Sequence, residues 1–89
     1  MKELSNLFKA LSDPTRGDIL RLLKERDRTP SEILEKMSIS QPTLSHHLDI
    51  LKRANLVEWE REGQFIRYSL NMSVFEMAVK YMMQFMKRR

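Results

Sequence analysis

Cysteine is absent from this 89-residue chain, and its absence removes several functions at once. A disulfide scaffold, a thiolate metal site, a cysteine nucleophile and a thiol redox switch all need the missing sulfur. Glycine is nearly as scarce, with two residues in all, so no glycine-rich loop exists to cradle a phosphate. No stretch approaches the roughly 18 consecutive apolar residues of a membrane-spanning helix. The opening Met1-Lys2-Glu3-Leu4-Ser5-Asn6 has no apolar run of the signal-peptide kind. A soluble cytoplasmic protein is expected. Nor is an enzyme expected: Ser45 beside His46 and His47 forms no nucleophile–base pair, because adjacent residues on a helix diverge.

What is present is mildly basic. Sixteen Lys+Arg against 12 Asp+Glu give a formal charge of +4, which favours a polyanionic partner but also serves plain solubility. The chain is expected to form one domain over residues 1–89. At this size it buries only ~60–65% of its unfolded surface, so a dimer interface would add needed stability.

Leu4, Leu7, Phe8 and Leu11 recur at helical spacing and predict a first amphipathic helix over about 3–11. Asp13 as N-cap with Pro14 behind it restarts a second helix, buried through Ile19, Leu20, Leu22 and Leu23 and fading around Lys24–Asp27. Gly17 within it costs about 1 kcal/mol against Ala; it either permits a close helix contact or occupies a tolerant position. Thr29-Pro30-Ser31-Glu32 is a capping box opening a short third helix with Ile33, Leu34 and Met37 as its apolar set. Ser38-Ile39 turns into Ser40, the N-cap of a fourth helix over about 41–54. There Leu44, Leu48 and Leu51 form the stripe for burial, while Gln41, Thr43, Ser45, His46, Asp49 and Lys52 occupy the other face. A short helix, a tight turn and a longer helix with short polar side chains in its first turns make a helix-turn-helix, a pattern shared with plain packing pairs.

After Asn55 the period changes to two. Leu56–Arg61 and Phe65–Leu70 flank Glu62-Gly63-Gln64 and predict a β-hairpin over about 56–70, with Ile66, Tyr68 and Leu70 facing inward. A lone hairpin is marginal in water and must lie on the helices. The fold class is therefore mainly α with a small β-hairpin: a winged helix-turn-helix of about five helices plus a two-stranded wing. Asn71 or Ser73 caps a last helix over about 73–87, ending in the basic Lys87-Arg88-Arg89. One of its stripes (Phe75, Ala78, Val79, Met82, Phe85, Met86) suits the domain's own core, leaving Val74, Met77 and Tyr81 over. Either the chain wraps all of this into a monomer core, or the last and first helices self-associate.

Several stretches together resemble the ArsR family of small winged-helix repressors. They are Phe8-Lys9-Ala10-Leu11-Ser12-Asp13-Pro14-Thr15-Arg16 with Ile19-Leu20 and Leu23; Ser40 to Leu48; Leu51, Ala54 and Leu56-Val57; and Glu62-Gly63-Gln64 leading to Tyr68-Ser69-Leu70. The resemblance implies a homodimer paired through the first and last helices, with Leu4, Leu7, Phe8, Val74, Met77, Tyr81, Met82 and Phe85 at the interface. It also implies repression of transcription at an inverted-repeat operator in double-stranded DNA. Gln41, Thr43, Ser45 and His46 fall where the family reads base edges; a Gln amide pairs bidentately with adenine, and Ser or Thr reaches bases or phosphates. Pro42 departs from the commoner hydroxyl residue and offers only apolar contact. His47 matches a recurrent family His and either touches phosphate or packs as a hydrogen-bonded support. Arg61, Gln64 and Arg67 are the wing's candidates for backbone or minor-groove contact. Lys52 and Arg53 either neutralise phosphates or stand in solvent.

Where the chain departs from the family, it bears on the signal. Many members sense metal through cysteines on the helix before the recognition helix; here Pro30–Met37 contains neither Cys nor His. Others use His and carboxylates on the last helix; here Val74–Arg89 has one acid, Glu76, and no His. His46 and His47, the two histidines of the chain, diverge by about 100° on a helix and make a poor chelate. No metal or cofactor is expected, and a small ligand or a regulatory protein is the expected releasing signal. The alternative reading is a winged-helix module for protein–protein contact with weak or vestigial DNA binding; Asp49, the single acid between Gln41 and Ala54, argues against it.

Overall fold

The computed structural model describes residues 2–87; Arg88 and Arg89 of the basic ending lie outside them. Five helices and one hairpin follow in order: α1 (Lys2–Leu11), α2 (Pro14–Glu25), α3 (Pro30–Leu34), α4 (Gln41–Arg53), β1 (Val57–Glu62), β2 (Phe65–Leu70) and α5 (Met72–Met86). Local chemistry sets the starts. Asp13 accepts the Arg16 amide with Pro14 in the first turn of α2. Thr29 and Glu32 close a complete capping box on α3. Ser40 accepts the Thr43 amide at the head of α4. Helix α3 is shorter than its apolar set suggested, and Glu35–Met37 belong to the turn that follows.

The end of α4 is as defined as its start. Asn55 takes a left-handed φ of 59°, while the Leu56 amide reaches Leu51 O and the Asn55 amide reaches Lys52 O, both at 3.0 Å. That is a Schellman motif with Asn in the usual glycine place. The chain then enters β1, which pairs antiparallel with β2 from Val57↔Leu70 to Glu62↔Phe65. Glu62 thus joins the strand, and Gly63-Gln64 alone make the loop. Gly63, at φ 60°, supplies the positive φ that tight hairpin turns demand at their first central position.

One core unites the elements. Leu7 and Ala10 of α1, Ile19, Leu20 and Leu23 of α2, Ile33 of α3, and Leu44, Leu48 and Leu51 of α4 meet Leu56, Val57, Tyr68 and Ala78. The hairpin is moored by backbone bonds in both directions between Arg28 and Tyr68, at 3.1 and 2.8 Å. Arg28 itself is buried, its guanidinium donating to Glu25 at 2.7 Å and to Leu22 O at 3.0 Å. Gly17 permits no close helix contact: a Cβ there would meet nothing nearer than the Arg21 guanidinium at 3.6 Å.

The last helix departs most from expectation. It begins at Met72 with Asn71 as N-cap, and the Asn71 amide group donates across to Asn55 O instead of capping. Val74, Phe75 and Ala78 are the α5 residues packed on the core. Val79, Met82, Phe85 and Met86, which the stripe assigned inward, are exposed together with Met72, Met77 and Met83; Phe85 is 74% and Met86 80% accessible. Conversely Leu7, expected at an interface, is wholly buried in the protomer's own core, and Leu4 is 3% accessible. The i, i+3 row of α1 is the side its own protomer seals, so these two leucines lie beneath the surface. Phe8, Tyr81 and Phe85 form an aromatic row joining α1 to α5, with centroids 6.2 and 5.2 Å apart.

Candidate nucleic-acid interface

Helix α4 carries the surface. Leu44, Leu48 and Leu51 anchor it in the core, and this turns Gln41, Pro42, Thr43, Ser45 and His46 to solvent. The Ser40 hydroxyl accepts the Thr43 amide and donates its own proton to Thr43 Oγ1 at 2.9 Å. Thr43 is therefore held in one rotamer with its hydroxyl proton free to donate. Gln41 and Pro42 occupy the first turn, ahead of the intrahelical amide donors.

His47 stands apart from these five. Its side chain is 12% accessible, and its Nδ1 lies 3.2 Å from Arg16 Nη1. A guanidinium only donates, so Nδ1 is the acceptor and the neutral ring carries its proton on Nε2. Of the two roles open for His47, the packed support is the one its surroundings make. The same Arg16 donates through Nε to Ala10 O at 2.9 Å, one of the carbonyls left without a partner at the end of α1. Arg16 thereby ties the end of α1 and the start of α2 to the middle of α4. Asp13, at 4.0 Å from His47 Nδ1, is kept below its ordinary pKa chiefly by the Arg16 backbone amide.

On the wing, Arg61 and Gln64 are exposed. Arg67 is not free. Its Nε donates to Glu62 at 3.0 Å, its Nη1 lies 3.4 Å from Glu32, and that nitrogen also reaches Asp27 O. The Glu62 hydrogen bond raises the Arg67 pKa further. Arg67 is thus a strut between wing and α3, with three oxygens already around its guanidinium. Glu58, Glu60 and Glu62 line that same face of β1, exposed to solvent; their alternation was visible in the sequence and marks a wing face that repels phosphate. Lys52 lies 3.8 Å from Asp49 and 5.2 Å from the Trp59 ring centroid, bridging α4 to β1. His46 and His47 have ring centroids 5.6 Å apart, tilted by 59°, and among the described residues no three His, Asp or Glu converge on a metal-sized site.

A short capped helix, a turn, an anchored helix with an exposed polar head, and a hairpin moored beside it make a winged helix-turn-helix. Residues 13–58 match the profile of the bacterial regulatory protein arsR family. The chain belongs to the ArsR family. It is 48% identical over 85 residues to the transcriptional repressor SdpR of Bacillus subtilis, covering 96% of this chain and 94% of that one. An ArsR-like transcriptional regulator from Rhodococcus superposes with a TM-score of 0.88 at 30% identity, covering 94% of this chain and 79% of that one. A homodimeric winged helix-turn-helix DNA-binding domain from Mycobacterium bovis superposes at 0.79 with 28% identity, over 92% and 77% of the two chains. As an ArsR protein the chain is a DNA-binding transcriptional repressor, and the family's members are regulators, not enzymes. Among the described residues no helix is long and apolar enough to cross a membrane.

Proposed function

We propose that this ArsR protein acts in the cytoplasm as a homodimer on an inverted-repeat operator. Gln41, Thr43, Ser45 and His46 read base edges, Pro42 makes apolar contact, and Arg61 and Gln64 meet the backbone from the wing. The observation that carries the reading is the two-sidedness of α4: three leucines sealed in the core and five short or planar polar-face residues left in solvent. A helix needing only solubility has no use for a first turn so poor in charge. The acidic face of β1 favours an approach led by Arg61, on the opposite face of that strand.

Pairing is assigned to α1 and α5, where Phe8 and Tyr81 stack beside exposed Met77, Met82 and Phe85, joined by Val79, Met83 and Met86. Two recognition helices related by a two-fold would then lie ~34–36 Å apart, one turn of DNA. With no cysteine in the chain, release is assigned to a non-metal signal, a small ligand or a regulatory protein. Random-sequence selection followed by gel shift tests the operator reading. An enriched palindrome is expected, with Gln41→Ala weakening it by ~1–3 kcal/mol while sparing non-specific binding. Equal losses on specific and scrambled DNA would refute base readout at Gln41, and the absence of any enriched palindrome would move the protein to the protein-contact reading.

A further inference from the structure

Between the C-terminal ends of α1 and α4 lies an open cleft of about 260 Å³. Lys9, Arg16 and Arg53 form its charged side, and Ala10, Ile50 and Ala54 its apolar side. No carboxylate lines it, and neither Lys9 nor Arg53 takes part in an ion pair among the described residues. Arg16 is committed through Nε to Ala10 O and through Nη1 to His47, but its Nη2 makes only a long 3.4 Å contact with Lys9 O. Two cations without an ion-pair partner among the described residues, and an arginine with a spare donor, face an apolar wall.

We propose that this cleft binds a small organic monocarboxylate with a short aliphatic or aromatic body. The carboxylate would sit among Lys9, Arg16 and Arg53, and the body against Ala10, Ile50 and Ala54. The apolar wall favours an organic acid over inorganic phosphate or sulfate, and the volume falls just under the usual ~300–1,000 Å³ range of drug-sized sites. Arg53 lies twelve residues along α4 from Gln41, about 18 Å by helical rise, so the cleft is remote from the base-reading turn. A carboxylate offers Arg16 a charge-assisted, bidentate partner stronger than the neutral imidazole of His47. Binding therefore draws Arg16 off His47 and loosens α4 from α1. The site itself stands independently of the operator reading; only its regulatory consequence rests on it.

Amide and imidazole NMR of the full chain, titrated with sodium benzoate and sodium hexanoate at constant ionic strength, tests the site. Saturable shifts are expected at Lys9, Ala10, Ile50 and Arg53 and on the His47 ring, with sodium phosphate binding more weakly. The double variant Lys9→Gln/Arg53→Gln, altered at exposed positions, is expected to bind benzoate at least about tenfold more weakly, the loss of charged hydrogen bonds. Saturating benzoate should lower operator affinity in the parent protein and leave that of the double variant unmoved. Absence of saturable shifts with both acids, or equal benzoate affinity in the double variant, overturns the proposal. It is also overturned if the double variant binds the operator more weakly in the absence of benzoate, with a shallower salt dependence, since the cleft would then hold a backbone phosphate. Benzoate shifts in a protein that binds no DNA would uphold the site and sink the operator reading instead.

Discussion

Replacing Arg16 by Met keeps the apolar stem of the side chain and removes every donor. In the folded protein Arg16 Nε donates to Ala10 O at 2.9 Å and Nη1 to His47 Nδ1 at 3.2 Å, while Nη2 stands 3.4 Å from Lys9 O. Lys9 O has other donors, since the Ser12 hydroxyl and amide reach it at 2.6 and 3.2 Å, so its loss is small. Ala10 O has no other donor among the hydrogen bonds of the described residues, and Ala10 is buried. Leaving a buried carbonyl unpaired costs about 1–3 kcal/mol. The His47 bond adds about 1 kcal/mol, because that ring is partly open to water. The expected loss is therefore about 2–4 kcal/mol. Against the roughly 5–15 kcal/mol typical of small domains, it is a large fraction of the whole. Urea unfolding by circular dichroism at fixed protein concentration measures it, the concentration being held because the proposed dimer would make stability concentration-dependent. The midpoint should fall with the slope unchanged. Arg16→Lys should recover only part of the loss, since one ammonium cannot span Ala10 O and His47 together. A loss under about 0.5 kcal/mol for Arg16→Met, the size of an ordinary surface change, would refute the view that Arg16 ties α1 to α4.

Three further outcomes are expected. Acid should destabilise the fold: Asp13 and Glu32 are both held below their ordinary pKa, chiefly by the backbone amides of Arg16 and Thr29 respectively. Their contribution is complete above the unfolded carboxylate range of about pH 4 and disappears as pH falls through the lower folded values. Asp13→Asn with Glu32→Gln keeps both caps without the charge and should flatten that acid limb in pH-dependent urea melts; an unchanged limb would place the titration elsewhere. Gly63→Ala meets nothing within 4 Å and should still cost about 1–2 kcal/mol, because a Cβ is disfavoured at positive φ; thermal melts showing no loss would deny the turn its left-handed geometry. Met82→Glu with Met86→Glu adds charge to the exposed face of α5 and should yield a monomer in sedimentation at micromolar concentration, whereas a persisting dimer would move the pairing surface off α5.

Much of the candidate surface was legible in the sequence. The five residues at the head of α4 needed only the leucine stripe behind them: once Leu44, Leu48 and Leu51 are buried, helical geometry sends Gln41, Pro42, Thr43, Ser45 and His46 outward. Arg67 was not legible. Its place in the hairpin suggested an outward cation, but Glu32 reaches it across 35 positions of chain. The bond between Arg16 and His47 likewise spans 31 positions, and it settles a ring tautomer that no spacing rule addresses.

The division follows from the range of the forces. Sequence alone determined the order of the elements and the starts of α2, α3 and α4, because caps and turns close within about four residues. Asp13 onto the Arg16 amide, Ser40 onto the Thr43 amide and Gly63 at its turn are of this kind. Tertiary structure alone decided what covers each face and which charges remain free. An apolar stripe states that burial is favourable but not which neighbour supplies it, so α5 buries Ala78, packs Val74 and Phe75 half-buried against the core, and leaves Val79, Met82, Phe85 and Met86 in solvent. Likewise Leu7, apolar on the same terms as Phe8, is sealed inside the protomer while Phe8 stays half-buried beside Tyr81.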